Sequence, residues 1–250
     1  MSVVCILTAR KNSKGYPGKN LLEVKGKKLF EWVALEASKS KLIDKFFVNT
    51  DSFEIMTKLS ELGWNAIPRP EKLAGDKALS EDVFIQSLEW LNENDSSEIH
   101  MLVLLMANSP TFTFNEIDKA INILRNYPTY DSAVTVSRYN MWSPVRARRI
   151  RADGLLEPFV PLSCFGKMDQ FTSGRDSQGD VWFADMGFSV VRAKNLQDIK
   201  SGQLPQRWMG QNIYPICHEG GLDLDYPYQV GQIEWWIDNQ LKNNGGKSKS

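Results

Sequence analysis

The sequence predicts an α/β fold: a mostly parallel sheet covered by helices on both faces, with an inserted region after residue 137. Three observations carry this. Short apolar runs with little alternation recur at 3–8, 45–50, 64–67, 99–105 and 131–136, as strands buried on both faces require. Helix-length segments separate them, with apolar residues at three- and four-residue spacing. A loop rich in cations and glycine directly follows the first run, at the carboxyl edge where ligands of such sheets bind.

Taken in order, Val3-Val4-Cys5-Ile6-Leu7 opens the sheet. Leu29, Trp32, Val33 and Ala37 mark the first helix, and Ile55, Met56 and Leu59 the second. Val83, Phe84, Ser87, Leu88 and Leu91 mark a third, with Ser80 as its expected N-cap, and Ile117, Ile121 and Leu124 a fourth. The alternation breaks after Ser137. Residues 138–183 hold Pro144, Pro158 and Pro161, several glycines, and Arg146, Arg148, Arg149 and Arg151. Their aromatics (Trp142, Phe159, Phe165, Phe171, Trp182, Phe183) follow no period that would bury them. This reads as an inserted hairpin-and-loop region forming a partner surface or a substrate lid. The core, 1–137 and 184–241, resumes at 187–191 and Tyr214-Pro215-Ile216-Cys217. It ends in an amphipathic helix along Val230, Ile233, Ile237 and Leu241. Residues 242–250 are expected to be disordered.

Composition narrows the function. Thirty basic residues balance thirty acidic ones in 250, so no global basic field attracts nucleic acid, and no nucleic-acid partner is expected. Cys5, Cys164 and Cys217 are too widely spaced for a zinc site, and free thiols in a reducing compartment are expected. No stretch approaches ~18 apolar residues, so neither a membrane span nor a signal peptide is expected, and the cytoplasm is the default.

The loop at 9–20 supplies Arg10, Lys11, Lys14 and Lys19 among Gly15, Pro17 and Gly18. Ammonium heads and backbone N–H groups converge on phosphate in such a loop, although a solvated basic loop is the simpler alternative. It is not a Walker loop, because Ser13 stands where the first glycine belongs and Asn20 where the closing hydroxyl belongs. Near the other end, Asp223-Leu224-Asp225 reads as a strand end with both carboxylates on one side. Two hard oxygen ligands so placed suit Mg²⁺ bridging substrate phosphates, although Asp225 would equally serve as N-cap of the next helix, with Pro227 in its first turn. A polar segment, 69–80, offers Arg69 and Ser80 as hydrogen-bonding groups for a base, or simply leads into a capped helix.

Together these segments resemble the acylneuraminate cytidylyltransferases, which make CMP-sialic acid and CMP-activated relatives such as CMP-Kdo. The family's N-terminal signature resembles Ala9-Arg10 through Ser13-Lys14-Gly15 to Lys19-Asn20, and its strand-end motif resembles Asn49-Thr50-Asp51. Its base-contacting segment matches 69–80 in spacing, and its metal pair resembles Asp223 and Asp225. The resemblance spans nearly the whole chain and implies a Rossmann-like nucleotide-diphospho-sugar transferase fold. It implies transfer of CMP from CTP to a sugar acid with release of pyrophosphate. Arg10, Lys14, Lys19 and Asn20 would then hold the triphosphate, and Arg69, Ala78 and Ser80 would frame the pyrimidine. Asp223 and Asp225 would hold Mg²⁺, with Arg10, Lys19 and the two aspartates as the catalytic set. It further implies a homodimer pairing through 138–183, with Arg146, Arg148, Arg149 and Arg175 as candidates for the acceptor carboxylate. Competing readings are another nucleotide or a sugar phosphate on the same fold, and a non-catalytic nucleotide-binding protein.

The chain departs from that pattern after its fourth strand. Where the family carries glutamine and arginine, this sequence has Met106 and Phe112. Neither offers the hydrogen bonds it replaces, so a more apolar sugar-side pocket and an acceptor other than N-acetylneuraminate are expected.

Overall fold

The computed structural model describes residues 1–13, 15–166, 171–174 and 176–241; Lys14, Arg175 and the 242–250 tail named above lie outside them. In chain order come β1 (Ser2–Ala9), β2 (Glu23–Val24), β3 (Lys27–Lys28), α1 (Leu29–Ala37), β4 (Lys45–Thr50), α2 (Phe53–Ser60) and β5 (Asn65–Pro68). Next are α3 (Ser80–Asn94), β6 (Ile99–Met106), α4 (Phe114–Asn126), β7 (Ser132–Arg138), β8 (Arg148–Ile150) and β9 (Leu156–Pro158). β10 (Trp182–Arg192), α5 (Ala193–Gln197), β11 (Ile213–His218) and α6 (Val230–Trp236) complete the chain.

Seven strands form one sheet in the order β11-β7-β10-β6-β1-β4-β5. All neighbours run parallel except β10, which is antiparallel to both β6 and β7. Every apolar run anticipated as a strand is one, within two residues at either end.

β1 shows why such runs lack alternation. Val3, Cys5, Leu7 and Ala9 pack with α1, α2 and α4 on one face, while Val4 and Ile6 pack with α3 and α5 on the other. Both faces are dry, so both parities are apolar. A third apolar cluster joins Leu222 and Leu224 to Ile233, Trp236 and Ile237, seating α6 over the carboxyl edge. The expected stripe holds: Ile233 and Ile237 are fully buried and Leu241 nearly so, the last turn widening over Ile237–Leu241.

β7 and β10 run on past the core, pairing Arg138 with Trp182 and Ser137 with Phe183. Their register slips between Ala184 and Ser189, where Met186 takes a positive φ of 64°. That bulge turns Asp185 into the interior. Within the inserted region β8 and β9 form a separate hairpin, tied by Arg149 and Glu157 at 2.6 Å. Trp142 and Phe159 stand exposed, as their lack of periodicity implied. Among the described residues no helix is long and apolar enough to cross a membrane.

Candidate active site

The carboxyl ends of β1, β5 and β6 open onto a cleft of about 210 Å³. Arg10, Ser13, Lys19 and Asn20 line it from the loop after β1, Arg69, Ala78 and Ser80 from the segment after β5. Met106 and Asn108 enter from the loop after β6, and Asp223 from beyond β11. Every described residue assigned to triphosphate or base thus borders one cavity.

Each is held by local chemistry. Gly18 adopts φ 74°, a left-handed turn that favours glycine and starts the 3₁₀ turn carrying Lys19 and Asn20. The Asn20 amide donates to the Arg10 carbonyl at 2.9 Å, so this buried side chain braces the loop against the strand end. Arg10 reaches across the cleft, its Nη1 donating to Gly75 O at 3.3 Å and Asp76 Oδ1 at 3.2 Å. Arg69 donates from Nε to Asn49 Oδ1 at 2.7 Å and from Nη2 to Asn49 O at 2.8 Å. Burial lowers its pKa to about 10, opposed by the Asp51 charge, so the guanidinium stays ionised at neutral pH. Asn49 is fixed in turn by Gln86 and Ser87 of α3. The motif Asn49-Thr50-Asp51 therefore orients Arg69 from below.

The segment 221–225 is gripped by the loop after β6. Leu224 N donates to Asn108 O at 2.8 Å, and the Asn108 amide donates to Leu224 O at 3.1 Å. Thr111 Oγ1 accepts from Leu222 N at 2.9 Å and lies 3.0 Å from Leu222 O. With Leu222 and Leu224 buried, Asp223 borders the cleft, and Asp225 is tied to it through Lys19. Burial, then the Asp225 charge, push the Asp223 carboxyl above its ordinary value, with Lys19 opposing. Asp225 Oδ1 takes a 2.6 Å ion pair from Lys19 Nζ. The donor set fits a small hard cation that completes its shell with water and phosphate: two carboxylates, with no third acidic, histidine or cysteine group joining them among the described residues.

Across Asp223 lies a second cavity of about 400 Å³, walled by Tyr139, Trp142, Phe183 and Tyr228 and by the amides of Gln229 and Gln232. Asp223 is the wall the two cavities share.

Four expectations are corrected. Phe112 does not border a substrate pocket: it is fully buried and meets Phe188 edge-on at 5.8 Å, so only Met106 of that pair reaches the cleft. Asp223 and Asp225 alternate as expected but in an extended loop, because their backbone pairs with side chains and a loop carbonyl rather than a strand. Asp225 is not a helix cap. Tyr226 holds that position, and Gln229 Oε1 accepts from Asp225 N at 2.7 Å and Tyr226 N at 2.8 Å. Ser80 is likewise the first residue of α3, after Leu79 as cap, which leaves its side chain at the cleft.

Of the described arginines expected to meet the acceptor carboxylate, Arg149 pairs with Glu157, while Arg146 and Arg148 donate to main-chain carbonyls, and none of these three lines either cavity. Sequence reasoning named Ser13 without a role and left Trp142 and Phe183 as a partner surface or substrate lid, and it missed Asn108 as a site residue, the cavity those rings wall and a buried His218 cluster. Their signals were faint: a polar residue within a basic loop, an asparagine in an atypical motif, and a histidine ending an apolar strand.

Known proteins share sequence and fold with this chain. The family model described as Cytidylyltransferase matches residues 4–149. The chain is 29% identical over 143 residues to an N-acylneuraminate cytidylyltransferase of Escherichia coli, covering 57% of this chain and 33% of that protein. It is 31% identical over 127 residues to a 3-deoxy-manno-octulosonate cytidylyltransferase of Thermodesulfovibrio yellowstonii, covering 50% and 49%. The match thus spans a third to a half of these curated relatives. A CMP-2-keto-3-deoxy-manno-octonic acid synthetase solved in complex with CTP shares the fold, with TM-score 0.66 at 16% identity over 96% of this chain and all of that one.

Proposed function

The chain belongs to the cytidylyltransferase family, and on that premise we propose that it transfers CMP from CTP to a hydroxyl of a sugar acid, releasing pyrophosphate. One observation carries the reading: cations and an oriented arginine line the same cleft as Asp223, which also borders an aromatic-walled cavity. Nucleotide and acceptor would then meet at that carboxylate.

Arg69, with two of an arginine's five N–H donors engaged by Asn49, keeps others for a base carbonyl. Ala78 and Ser80 flank the base, and Arg10 and Lys19 face the triphosphate. Asp223 and Asp225 would hold Mg²⁺, which supplies charge neutralisation on phosphate oxygens. The acceptor oxygen attacks the α-phosphorus in line, forming one P–O bond as the bond to the β-phosphate oxygen breaks. Its proton leaves to solvent. Arg10 and Lys19 offset the charge on the departing pyrophosphate, so the protein's work is positioning and electrostatics.

The acceptor occupies the aromatic-walled cavity. Its rings suit a sugar acid with acyl or deoxygenated carbons, and Met106 adds an apolar contact at the cleft. Exposed Met141, Trp142 and Phe159 support a homodimer through the inserted region, to be checked by light scattering. The unpaired cysteines suit a cytoplasmic reaction. Pyrophosphate release, measured for each nucleoside triphosphate against a panel of sugar acids with Mg²⁺, tests the assignment. CTP with one sugar acid should stand out; no release with CTP and any sugar acid refutes it.

A further inference from the structure

Behind residues 221–225 lies a buried charged cluster to which the proposed transfer gives no role, although one member, Asp185, also borders the aromatic-walled cavity. His218, the last residue of β11, sits between Asp185 Oδ2 at 2.6 Å and Glu116 Oε1 at 3.1 Å. Asp185 comes from the β10 bulge and Glu116 from the first turn of α4, so three elements meet on one imidazole. The His218 and Asp185 side chains are 6% and 1% exposed, and Trp236 closes the ring side edge-on at 5.1 Å. Burial opposes the positive charge, but the two carboxylates prevail and raise its pKa to about 9. An imidazolium has no lone pair to take a proton and donates from both nitrogens. His218 is therefore a structural cation at neutral pH.

The cluster bears on the backbone that delivers Asp223. Ser137 Oγ donates to Asp185 Oδ2 at 2.5 Å and accepts from Gly221 N at 3.0 Å. A Cβ at Gly221 would collide with both Asp185 Oδ2 and His218 Nε2, so this glycine backbone rests directly on the ion pair. Tyr139 OH also donates to Gly221 O at 2.7 Å and Gln232 Nε2 to Gly220 O at 2.9 Å. The turn is clamped two residues before Asp223.

We propose that His218 is a positioning residue: the Glu116–His218–Asp185 cluster is the bed on which residues 220 and 221 rest, and it sets where Asp223 stands between the two cavities. The consequence for turnover rests on the proposed function; the positioning itself does not. A cluster that only staples α4 to the sheet would affect global stability and leave the 219–226 segment as it is.

Two variants of the full chain separate these. His218→Gln removes the cation, while Ser137→Ala removes only the hydroxyl between Asp185 and Gly221 and spares the ion cluster, so it remains informative if His218→Gln does not fold. Amide hydrogen exchange at 219–226 should be about tenfold faster in Ser137→Ala, with β1 and β6 exchanging as in wild type. Turnover should fall about tenfold while KM for CTP stays within about twofold. Unchanged exchange at 219–226 overturns the proposal, as does a loosened segment with wild-type turnover. If the wild-type chain transfers no nucleotide, the proposed function fails and the exchange measurement alone decides the positioning.

Discussion

Replacing Asp225 with asparagine should tighten the binding of metal-free CTP, even though Asp225 is proposed as a metal ligand. Lys19 Nζ lies 2.6 Å from Asp225 Oδ1, with side-chain exposures of 13% and 49%. To meet a phosphate, the ammonium must leave or share this carboxylate. The bare attraction at that distance is about 6 kcal/mol at an effective dielectric of 20 and about 1.6 kcal/mol in water. Half-exposed Asp225 recovers hydration when the pair opens, so the net cost of freeing Lys19 is about 1 kcal/mol. The neutral amide of the variant cannot hold the ammonium by charge. Metal-free CTP should therefore bind about fivefold more tightly to Asp225→Asn.

Calorimetry with CTP in chelator and in excess Mg²⁺ reads both halves of the argument. Wild type should gain strongly from Mg²⁺, which would take Asp225 and release Lys19, while the variant should gain little. Removing a negative charge near a polyanion would also help binding, so the contact itself needs isolating. In a Lys19→Gln background the benefit of Asp225→Asn should shrink, the remainder being the general charge effect. Equal metal-free affinity in wild type and Asp225→Asn would refute the reasoning. So would a benefit that survives intact without Lys19.

Other substitutions probe the remaining parts. Arg69→Ala strips the half-buried donor that Asn49 orients, and should raise KM for CTP about tenfold or more with the fold retained, read by CTP titration. Phe112→Ala should cost about 3–5 kcal/mol in urea unfolding, and Phe112→Arg should yield unfolded protein rather than a new sugar contact, because it buries an unpaired charge. Met106→Gln should shift acceptor preference about tenfold toward a more hydroxylated sugar acid, read as kcat/KM ratios across the panel. The His218 pKa is raised on folding, so its contribution to stability is complete below about 6.5 and is lost as pH rises to about 9; thermal melting should decline across that window and decline less in His218→Gln.

Much of the sheet was legible because buried strands leave continuous apolar runs, and Val3 to Leu7 or Met101 to Leu105 permit no other economical burial. Strand direction left no such trace. The residues of β10 read as one more core strand, but nothing in Phe188, Val190 and Val191 announces that it runs against β6 and β7. On the cleft side, Arg10, Lys19, Arg69, Ser80 and Asp223 were legible as polar residues of loops that follow strands, where a parallel sheet gathers its ligands, and Ala78 only through the family resemblance. The aromatic cavity was not. Tyr139, Phe183 and Tyr228 come from three distant segments, and only the extension of β7 and β10 past the core, with α6 seated over it, brings them together.

The loop after β6 shows why a position within a motif does not settle what its side chain does. Met106 and Phe112 both replace polar residues in the family pattern, and by sequence both rewrite the sugar side. Between them the chain turns twice, with Ser109 N bonding to Met106 O at 3.1 Å and Phe112 N to Pro110 O at 3.1 Å. The turns send Phe112 back into the core against Phe188 and leave Met106 at the cleft. The residues between them act through contact rather than chemistry: Asn108, Ser109 and Thr111 hold the backbone of 222–224. The loop therefore has Met106 facing ligand, Ser109 and Thr111 only placing Asp223, and Asn108 doing both, since it also borders the cleft. Substitutions at Ser109 or Thr111 should disturb turnover with every acceptor alike, whereas Met106→Gln should change which acceptor is preferred. An acceptor panel run on Met106→Gln beside Thr111→Val measures that division, and a shift in preference with Thr111→Val would contradict it.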